Sequence, residues 1–185
     1  MKRIDIAVLC AWFVALVLVI FLAHGDGHAY SSRIASTRGL GYITLFALVL
    51  ALSVTPAAVV VRRVTSPSRL RRALGLAAVG GGWLHAVIAL TMVPGGVASI
   101  WREPPLRAGL LALLILLLLG VTSFPALVRR LHLQHWKELH RLAYVALVCA
   151  LWHAMLQPFA PALWLLALAG VCTIILALRL WPRRD

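Results

Sequence analysis

Charge is scarce in this chain of 185 residues. Only 12% of the residues are charged, and just five are acidic. A soluble globular domain has about 25% charged residues. Hydrophobic residues instead make up 63% of the chain, and a chain of this length cannot enclose that share in a soluble core. The composition therefore excludes an ordinary soluble domain and indicates an integral membrane protein.

Cysteine is also sparse, and the usual catalytic patterns are missing. Cys10, Cys149 and Cys172 are isolated, without a CxxC pair, so neither a zinc site nor a dithiol redox centre is indicated. We expect them to be small buried hydrophobic residues. The sequence also has no glycine-rich nucleotide-binding loop and no Ser/His/Asp arrangement. These absences leave no catalytic side chain to assign.

Six long apolar runs are present, at about 6–23, 40–61, 73–93, 106–128, 139–157 and 160–181. A membrane-spanning helix needs about 20 residues, within a range of roughly 17–25, and all six runs qualify. The first run exceeds the ~7–15 residues of a secretion-signal core, so we expect it to be retained. The sequence predicts an all-α polytopic membrane bundle: one domain over 1–185, six transmembrane helices and no internal repeat.

The basic residues give this bundle an orientation. The formal net charge is +13, which in a soluble protein would suggest nucleic-acid binding. Here most Lys and Arg lie at the chain ends and in the second and fourth connections. Positive charge accumulates on the cytoplasmic side of a membrane. We therefore predict that both termini are cytoplasmic, with membrane lipid and no nucleic acid as the partner of these charges.

Three histidines lie in or beside the apolar runs: His85, His140 and His153. An ionisable side chain at membrane depth is costly and marks a functional site by default. His85 is twelve residues into the third run and His153 fourteen into the fifth. Both runs rise from the cytoplasmic side, so the two rings lie ~18 and ~21 Å up. That similar height is what two axial ligands of one haem iron require, although an interhelical hydrogen bond is the alternative for each.

His140 poses a separate question, because it precedes His153 by thirteen residues. That places it ~20 Å lower, at the cytoplasmic edge, where it cannot share an iron with His153. A ligand role and simple interfacial anchoring stay open for it. His132 and His135 lie in a basic inner loop, and their spacing is a weak metal signal without a thiol or acidic partner. His24 begins an outer loop predicted to run to Arg38.

Glycine residues precede His85, at Gly80, Gly81 and Gly82. Small residues let a second helix, or a flat macrocycle, approach the helix backbone closely. The triplet is thus compatible both with ordinary helix packing and with a cofactor beside His85.

The segments around these histidines resemble the MsrQ (YedZ) family of the ferric-reductase-like transmembrane superfamily. The most specific stretch is His135-Trp136-Lys137-Glu138-Leu139-His140-Arg141-Leu142-Ala143-Tyr144 followed by His153. Val54-Thr55-Pro56, Arg71-Arg72-Ala73-Leu74-Gly75-Leu76, Leu84-His85 and His24-Gly25 match less specifically. The similarity runs from about residue 24 to 157, most of the chain.

The resemblance implies a six-helix bacterial inner-membrane protein that carries haem b and transfers electrons. His85 and His153 correspond to the haem ligands, and His140 to a third functional histidine. In that family a cytoplasmic flavin reductase takes electrons from NAD(P)H, and a periplasmic molybdopterin enzyme, MsrP, repairs oxidised methionine. A quinol is the alternative donor. One or two haems, and an FMN in addition, are compatible with these features.

One departure from related oxidases concerns the place of a second haem-binding histidine. In the related NADPH oxidases the helix with the His85 counterpart carries a second histidine, one haem further into the membrane. The corresponding positions in this sequence, thirteen and fourteen residues before His85, are Arg72 and Arg71. Their guanidinium groups suit haem propionates or a flavin phosphate, and membrane anchoring is the alternative. Two other functions stay open: a ferric-reductase-type metal or oxygen reductase, which a nucleotide-binding domain would favour, and a non-redox accessory subunit.

Overall fold

The computed structural model describes residues 29–61, 67–92 and 96–157, and four isolated residues between 168 and 174. Across these ranges the chain forms helices and no strands, which confirms the all-α prediction there. The helices are α1 (Ala29–Val61), α2 (Pro67–Met92), α3 (Ala98–Arg102), α4 (Pro104–Thr122), α5 (Pro125–Arg130), α6 (Leu133–Leu139) and α7 (Leu142–Met155). The first predicted run, nearly all of the sixth and both termini lie outside the described residues.

Three of these helices are long and apolar enough to cross a membrane. The segments are Ile34–Pro56 of α1, Pro67–Met92 and Pro104–Thr122. They correspond to the second, third and fourth predicted runs. α7 is the helical part of the fifth run, and its 14 residues are fewer than the ~20 that cross the hydrocarbon core. The protein is therefore a membrane protein with at least three apolar spans in the described residues.

The predicted extent of the outer loop before α1 is partly wrong. The loop was expected to reach Arg38, but α1 already begins at Ala29. Residues 29–38 contain neither proline nor glycine, so nothing in the backbone stops a helix there. The polar side chains in this segment did not prevent helix formation, because a helix can continue beyond the hydrocarbon into the aqueous interface.

The predicted fourth and fifth runs are each shorter in the structure than in the sequence pattern. α4 ends at Thr122, and Pro125 occupies the first turn of the separate helix α5. Proline lacks an N–H and clashes with the preceding turn, so it interrupts a helix but suits its start. A turn at His140 and Arg141 separates α6 from α7. The inner loop predicted at 129–138 therefore contains most of the short helix α6.

Two antiparallel helix pairs make up the bundle. Residues near the start of α1 contact the end of α2, and residues near the start of α4 contact the end of α7. The beginning of α2 and the end of α5 form an end that we call the arginine-rich end, defined by Arg69, Arg72, Arg129 and Arg130. The start of α1, the end of α7 and the short helix α3 lie at the opposite end.

The core lies where α1, α2, α4 and α7 meet. Its centre combines large aliphatic side chains, such as Leu52 and Leu119, with fully buried Ala78 and Ala146. Close contact of α2 with α4 depends on Gly120, since a Cβ at this position would lie 3.1 Å from Val79. Small residues at such crossings allow helix backbones to approach closely in a membrane. The same close packing places the histidines of α2 and α7 beside each other.

Candidate functional site

The structure brings His85 and His153 together from different helix pairs. Their ring centres lie 6.1 Å apart, with the ring planes inclined at 74°. His85 lies near the end of α2 and His153 near the end of α7, and both side chains are partly buried. The similar height predicted from the two helix positions is therefore matched by a direct juxtaposition of the two rings.

The His85 ring is held on the neighbouring helix α1. Its Nδ1 donates a hydrogen bond of 2.8 Å to the backbone carbonyl of Thr37. One turn further along α1, Gly41 lies under the same ring, and a Cβ there would be 3.1 Å from Cε1. A backbone carbonyl and a glycine one turn apart therefore fix both the position and the rotation of the ring.

His153 is held in the same way on α4. Its Nδ1 donates a hydrogen bond of 2.8 Å to the carbonyl of Pro105. Gly109, again one turn further along, lies so close that a Cβ would be 2.8 Å from Nδ1. The side-chain amide of Gln157 lies 3.4 Å from this nitrogen. Since real Cβ atoms essentially never approach so closely, this helix contact requires glycine.

These two hydrogen bonds fix which ring nitrogen is available for other chemistry. A carbonyl oxygen only accepts, so the Nδ1 of each histidine carries the proton. A neutral imidazole then keeps a lone pair on Nε2. Histidines that bind metals commonly donate their other ring N–H to a backbone carbonyl in this way. The pair thus presents two Nε2 lone pairs, each with its tautomer set by the backbone.

A mainly apolar cavity adjoins the two rings. Its empty volume is about 1210 Å³, including the part open to the surroundings. Leucines and alanines from α1, α2, α4 and α7 line most of it, and Gly96 and Ile100 contribute from around α3. Pockets that enclose organic cofactors are typically concave and lined mainly by apolar side chains. The cavity can accommodate a large flat ligand between the helix pairs.

The two halves of this cavity follow one pattern, displaced by 68 residues. Gly109 follows Gly41, and His153 follows His85, by this interval. Ten of the eleven lining residues on α1 and α2 have a lining counterpart 68 positions later, and the counterpart of the eleventh, Leu90, is outside the described residues. The prediction of no internal repeat is therefore wrong at the level of geometry. Five of the ten pairs are identical residues, so part of the repeat is also present in the sequence at the positions that line the cavity.

His140 lies elsewhere, at the arginine-rich end, and does not line the cavity. The Trp136 ring stacks against it with centres 4.0 Å apart. Trp136 also donates a hydrogen bond of 3.0 Å to the carbonyl of Thr122. The Thr122 hydroxyl donates to Leu118 and accepts a long hydrogen bond of 3.4 Å from Nε2 of His140. This cluster connects the short helix α6 to the end of α4.

The charge state of His140 follows from its surroundings, between α6 and α7. Burial, and secondly the positive charge of Arg71, lower the pKa of His140 to about 4. The ring is therefore neutral at pH 7. Arg71 is partly buried near His140, whereas Arg72 is exposed. Of the two arginines singled out in the sequence, Arg71 is the one near a candidate site residue.

Substituting Trp136 tests the cluster around His140. A Trp136→Leu variant loses both the ring stacking and the hydrogen bond to Thr122, and a hydrogen bond alone contributes roughly 0.5–1.5 kcal/mol. We expect the midpoint of thermal unfolding to fall by about 2–4 °C for each kcal/mol lost. Trp83→Leu is the control, because Trp83 is 55% exposed and away from the cluster. Equal effects of both substitutions would contradict a specific role for Trp136.

The remaining candidates from the sequence do not join either site. His132 and His135 are exposed with ring centres 6.4 Å apart, and no described group of three His, Cys, Asp or Glu side chains is arranged around a metal position. Cys149 is partly buried and forms no disulfide bond. Gly80 is exposed, while Gly82 lines the cavity. Within the glycine triplet, Gly82 is therefore the member that borders the site.

Several site residues were not identified from the sequence. Thr37, Gly41, Pro105 and Gly109 support the histidines through backbone atoms or through the absence of a side chain. Such roles leave no chemical signature in a residue type. The signal that was available is spacing, since a glycine precedes each histidine by 44 residues.

Comparison with known proteins agrees with this architecture. The family described as ferric reductase like transmembrane component matches residues 38–151. The protein-methionine-sulfoxide reductase heme-binding subunit MsrQ of Azospira oryzae is 33% identical, over 94% of this chain and 82% of its own length. The protein with that name from Ralstonia nicotianae is 34% identical, over 98% and 86%. The one from Rhodospirillum rubrum is 37% identical, over 80% and 73%.

The matched region contains His85 and His140, and His153 lies two residues beyond its end. The region also contains Gly41 and Gly109, which support the rings. The similarity to the first two MsrQ proteins covers 94% and 98% of this chain and therefore includes the described site. The chain belongs to the ferric reductase-like transmembrane family and, within it, to the MsrQ proteins.

Proposed function

We propose that this protein is a haem-b electron-transfer subunit of a bacterial inner membrane, in which His85 and His153 would hold the haem iron. One observation carries the proposal. Both histidines donate Nδ1–H to a backbone carbonyl at 2.8 Å and lie with their ring centres 6.1 Å apart beside a large apolar cavity. The names of the related MsrQ proteins, which describe heme-binding subunits, support it.

The spacing of the two rings fits one metal ion between them. A metal–imidazole bond of ~2.0 Å on each side, with ~1.1 Å from nitrogen to ring centre, gives ring centres ~6.2 Å apart. Two protein ligands do not complete a metal site alone, but a porphyrin supplies four further nitrogens. The buried Thr44 hydroxyl also lines the cavity and has no hydrogen-bond partner among the described residues. The site therefore fits a haem by ligand number, ring spacing and the apolar lining of the cavity.

A bound haem supplies reversible one-electron chemistry. The residues of this chain hold it and set its surroundings. Thr37 and Pro105 keep each Nε2 deprotonated through the hydrogen bonds of their carbonyls to Nδ1. The aliphatic lining, including Leu48 and Leu116, excludes water and lowers the local polarity around the iron. These are the means by which a protein tunes a haem potential.

The arginine-rich end is proposed as the cytoplasmic side, where electrons enter. We propose that His140 and Arg71 bind a second redox group at this end, either a haem or FMN. Arg72 lies at the surface beside them. The donor is a cytoplasmic flavin reductase using NAD(P)H, or a quinol. The acceptor at the opposite end is a periplasmic methionine sulfoxide reductase of the molybdopterin type. The names of the related MsrQ proteins support such a reductase system.

The test uses the full chain purified from membranes in detergent. We expect a b-type absorption spectrum that changes on reduction, with at least one haem per protein by pyridine haemochrome analysis. After anaerobic reduction, adding the oxidised periplasmic reductase with a methionine sulfoxide substrate should reoxidise the haem and form methionine. A matched sample without the sulfoxide controls for direct oxidation.

Other outcomes select the competing functions. Absence of a reducible haem would contradict the proposal and favour an accessory subunit without a redox role. Rapid reoxidation by chelated ferric iron or oxygen, with no transfer to the methionine sulfoxide reductase, would favour a ferric-reductase-type enzyme. The readout is the presence of the reduced spectrum for the first outcome and the rate at which that spectrum disappears for the second.

A further inference from the structure

The cavity is symmetric in the positions of its lining residues but not in their chemistry. Arg38 has Leu106 as its counterpart 68 positions later, and Gln157 is the counterpart of Ala89. A two-fold arrangement of helices alone would offer a bound group the same contacts on both sides. The residues that break this symmetry therefore decide how an asymmetric group is oriented.

The polar lining side chains without a polar counterpart are Arg38, Tyr42, Thr44 and Gln157, and of these Arg38 and Gln157 lie farthest from the arginine-rich end. Arg38 precedes Gly41 by three residues on α1, and Gln157 follows His153 by four just beyond the end of α7. Both positions point away from the arginine-rich end. The deepest lining residues toward that end are Leu48 and Leu116, each seven residues past its glycine, or ~10 Å deeper along the helix. The cavity thus has its charged side chain near one end and aliphatic side chains at the other.

Arg38 is also the one charged residue among the described lining residues. A guanidinium presents several N–H donors in a fixed plane, which suits recognition of a carboxylate. Haem b carries both of its carboxylates on one edge and apolar substituents on the others. Burying those carboxylates against Leu48 and Leu116 would leave charges unpaired in an apolar environment, which is strongly unfavourable.

We propose that Arg38, assisted by Gln157, binds the propionate carboxylates of the haem and so turns its carboxylate edge toward the end opposite the arginine-rich end. The inference rests on the haem function proposed above. It also differs from the expectation that Arg71 or Arg72 pairs with these propionates, because neither lines this cavity. With this orientation, the carboxylate edge is the part of the haem nearest the side where electrons leave.

The test replaces Arg38 by its own counterpart, as Arg38→Leu, and measures the haem midpoint potential by redox titration of the purified protein. The positive charge of Arg38 disfavours the ferric state, which carries one more positive charge than the ferrous state. Its removal should lower the equilibrium constant for reduction about tenfold, or ~59 mV for one electron. Removing Arg38 should also raise the pKa of the haem propionates, because a nearby cation favours the ionised carboxylate. The pH dependence of the midpoint potential should therefore extend to higher pH in Arg38→Leu than in the unaltered protein.

Three further variants make the result specific. Arg38→Lys should restore most of the potential, since it keeps the charge. Arg107→Leu and Arg72→Leu should leave it unchanged, because both side chains are exposed like that of Arg38 but neither lines the cavity. A shift with Arg72→Leu and none with Arg38→Leu would overturn the orientation. Equal shifts for Arg38→Leu and Arg107→Leu would overturn it as well, as an effect of general charge alone.

Haem content separates this inference from the proposed function. Each variant is first assayed for its b-type spectrum. If the unaltered protein has no haem, the proposed function fails. If haem is retained in Arg38→Leu with an unaltered potential and pH dependence, the function stands and the orientation is wrong. If Arg38→Leu does not fold, Gln157→Ala provides the second measurement, with a smaller shift in the same direction expected and an unchanged potential contradicting the proposal.

Discussion

Replacing either His85 or His153 by alanine is expected to abolish the reducible b-type spectrum of the purified protein. Each substitution removes one of the two Nε2 donors, which lie on rings 6.1 Å apart. No other described histidine lines the cavity, so no nearby imidazole replaces the lost ligand. The measurement is the reduced-minus-oxidised absorption spectrum together with the haem content per protein.

His132→Ala is the matched control for these substitutions. His132 is exposed and remote from the cavity, and its replacement should leave haem content and spectrum unchanged. Thermal unfolding of all three variants checks that the bundle is intact. Retention of the full spectrum by His85→Ala, or its loss with His132→Ala, would show that the ligands are assigned wrongly.

Gly109→Ala is expected to weaken haem binding strongly although it adds a single methyl group. The new Cβ would lie 2.8 Å from Nδ1 of His153 and 3.0 Å from its Cγ. The ring must therefore move and its hydrogen bond to Pro105 must lengthen. Loss of the contacts that orient a ligating histidine typically lowers metal affinity 10–100-fold, and overpacking a core costs roughly 1–3 kcal/mol of stability. Haem titration of the apoprotein measures the first effect.

The chain offers matched glycine substitutions for this experiment. Gly41→Ala should have a smaller effect of the same kind, because the nearest His85 atom would be 3.1 Å from the new Cβ. Gly75→Ala and Gly80→Ala add the same methyl group to α2, where nothing lies within 4 Å. They should leave haem affinity unchanged. A similar loss of affinity in Gly80→Ala would indicate that helix flexibility, rather than ring position, accounts for the effect at Gly109.

Three of the six predicted spans, and the proximity of the central histidine pair, could be predicted from the sequence. Long apolar runs report directly on membrane crossing, and rise per residue gives the height of a side chain in its helix. His85 and His153 were placed at similar height on this basis, and the structure has their rings side by side. The limits of the helices were less predictable. Local features decided them, such as Pro125, which begins a new helix inside an apolar run.

The groups that support the histidines were not predictable, because they act through position rather than residue type. Gly41 and Gly109 contribute by lacking a side chain, and Thr37 and Pro105 contribute a carbonyl that every residue has. Which carbonyl meets which ring depends on the register between helices distant in the chain. The contacts His85–Thr37 and His153–Pro105 each join residues 48 positions apart.

By itself, the sequence determined that this is a helical membrane protein with two histidines at one depth, because hydrophobicity and helical rise are local properties. The tertiary structure alone decided that the two helix pairs enclose one cavity, and that Arg38, rather than Arg71 or Arg72, lies beside it. Those facts depend on how helices cross and face one another. Side-chain packing between distant segments sets such crossings, and no single segment of the chain contains that information.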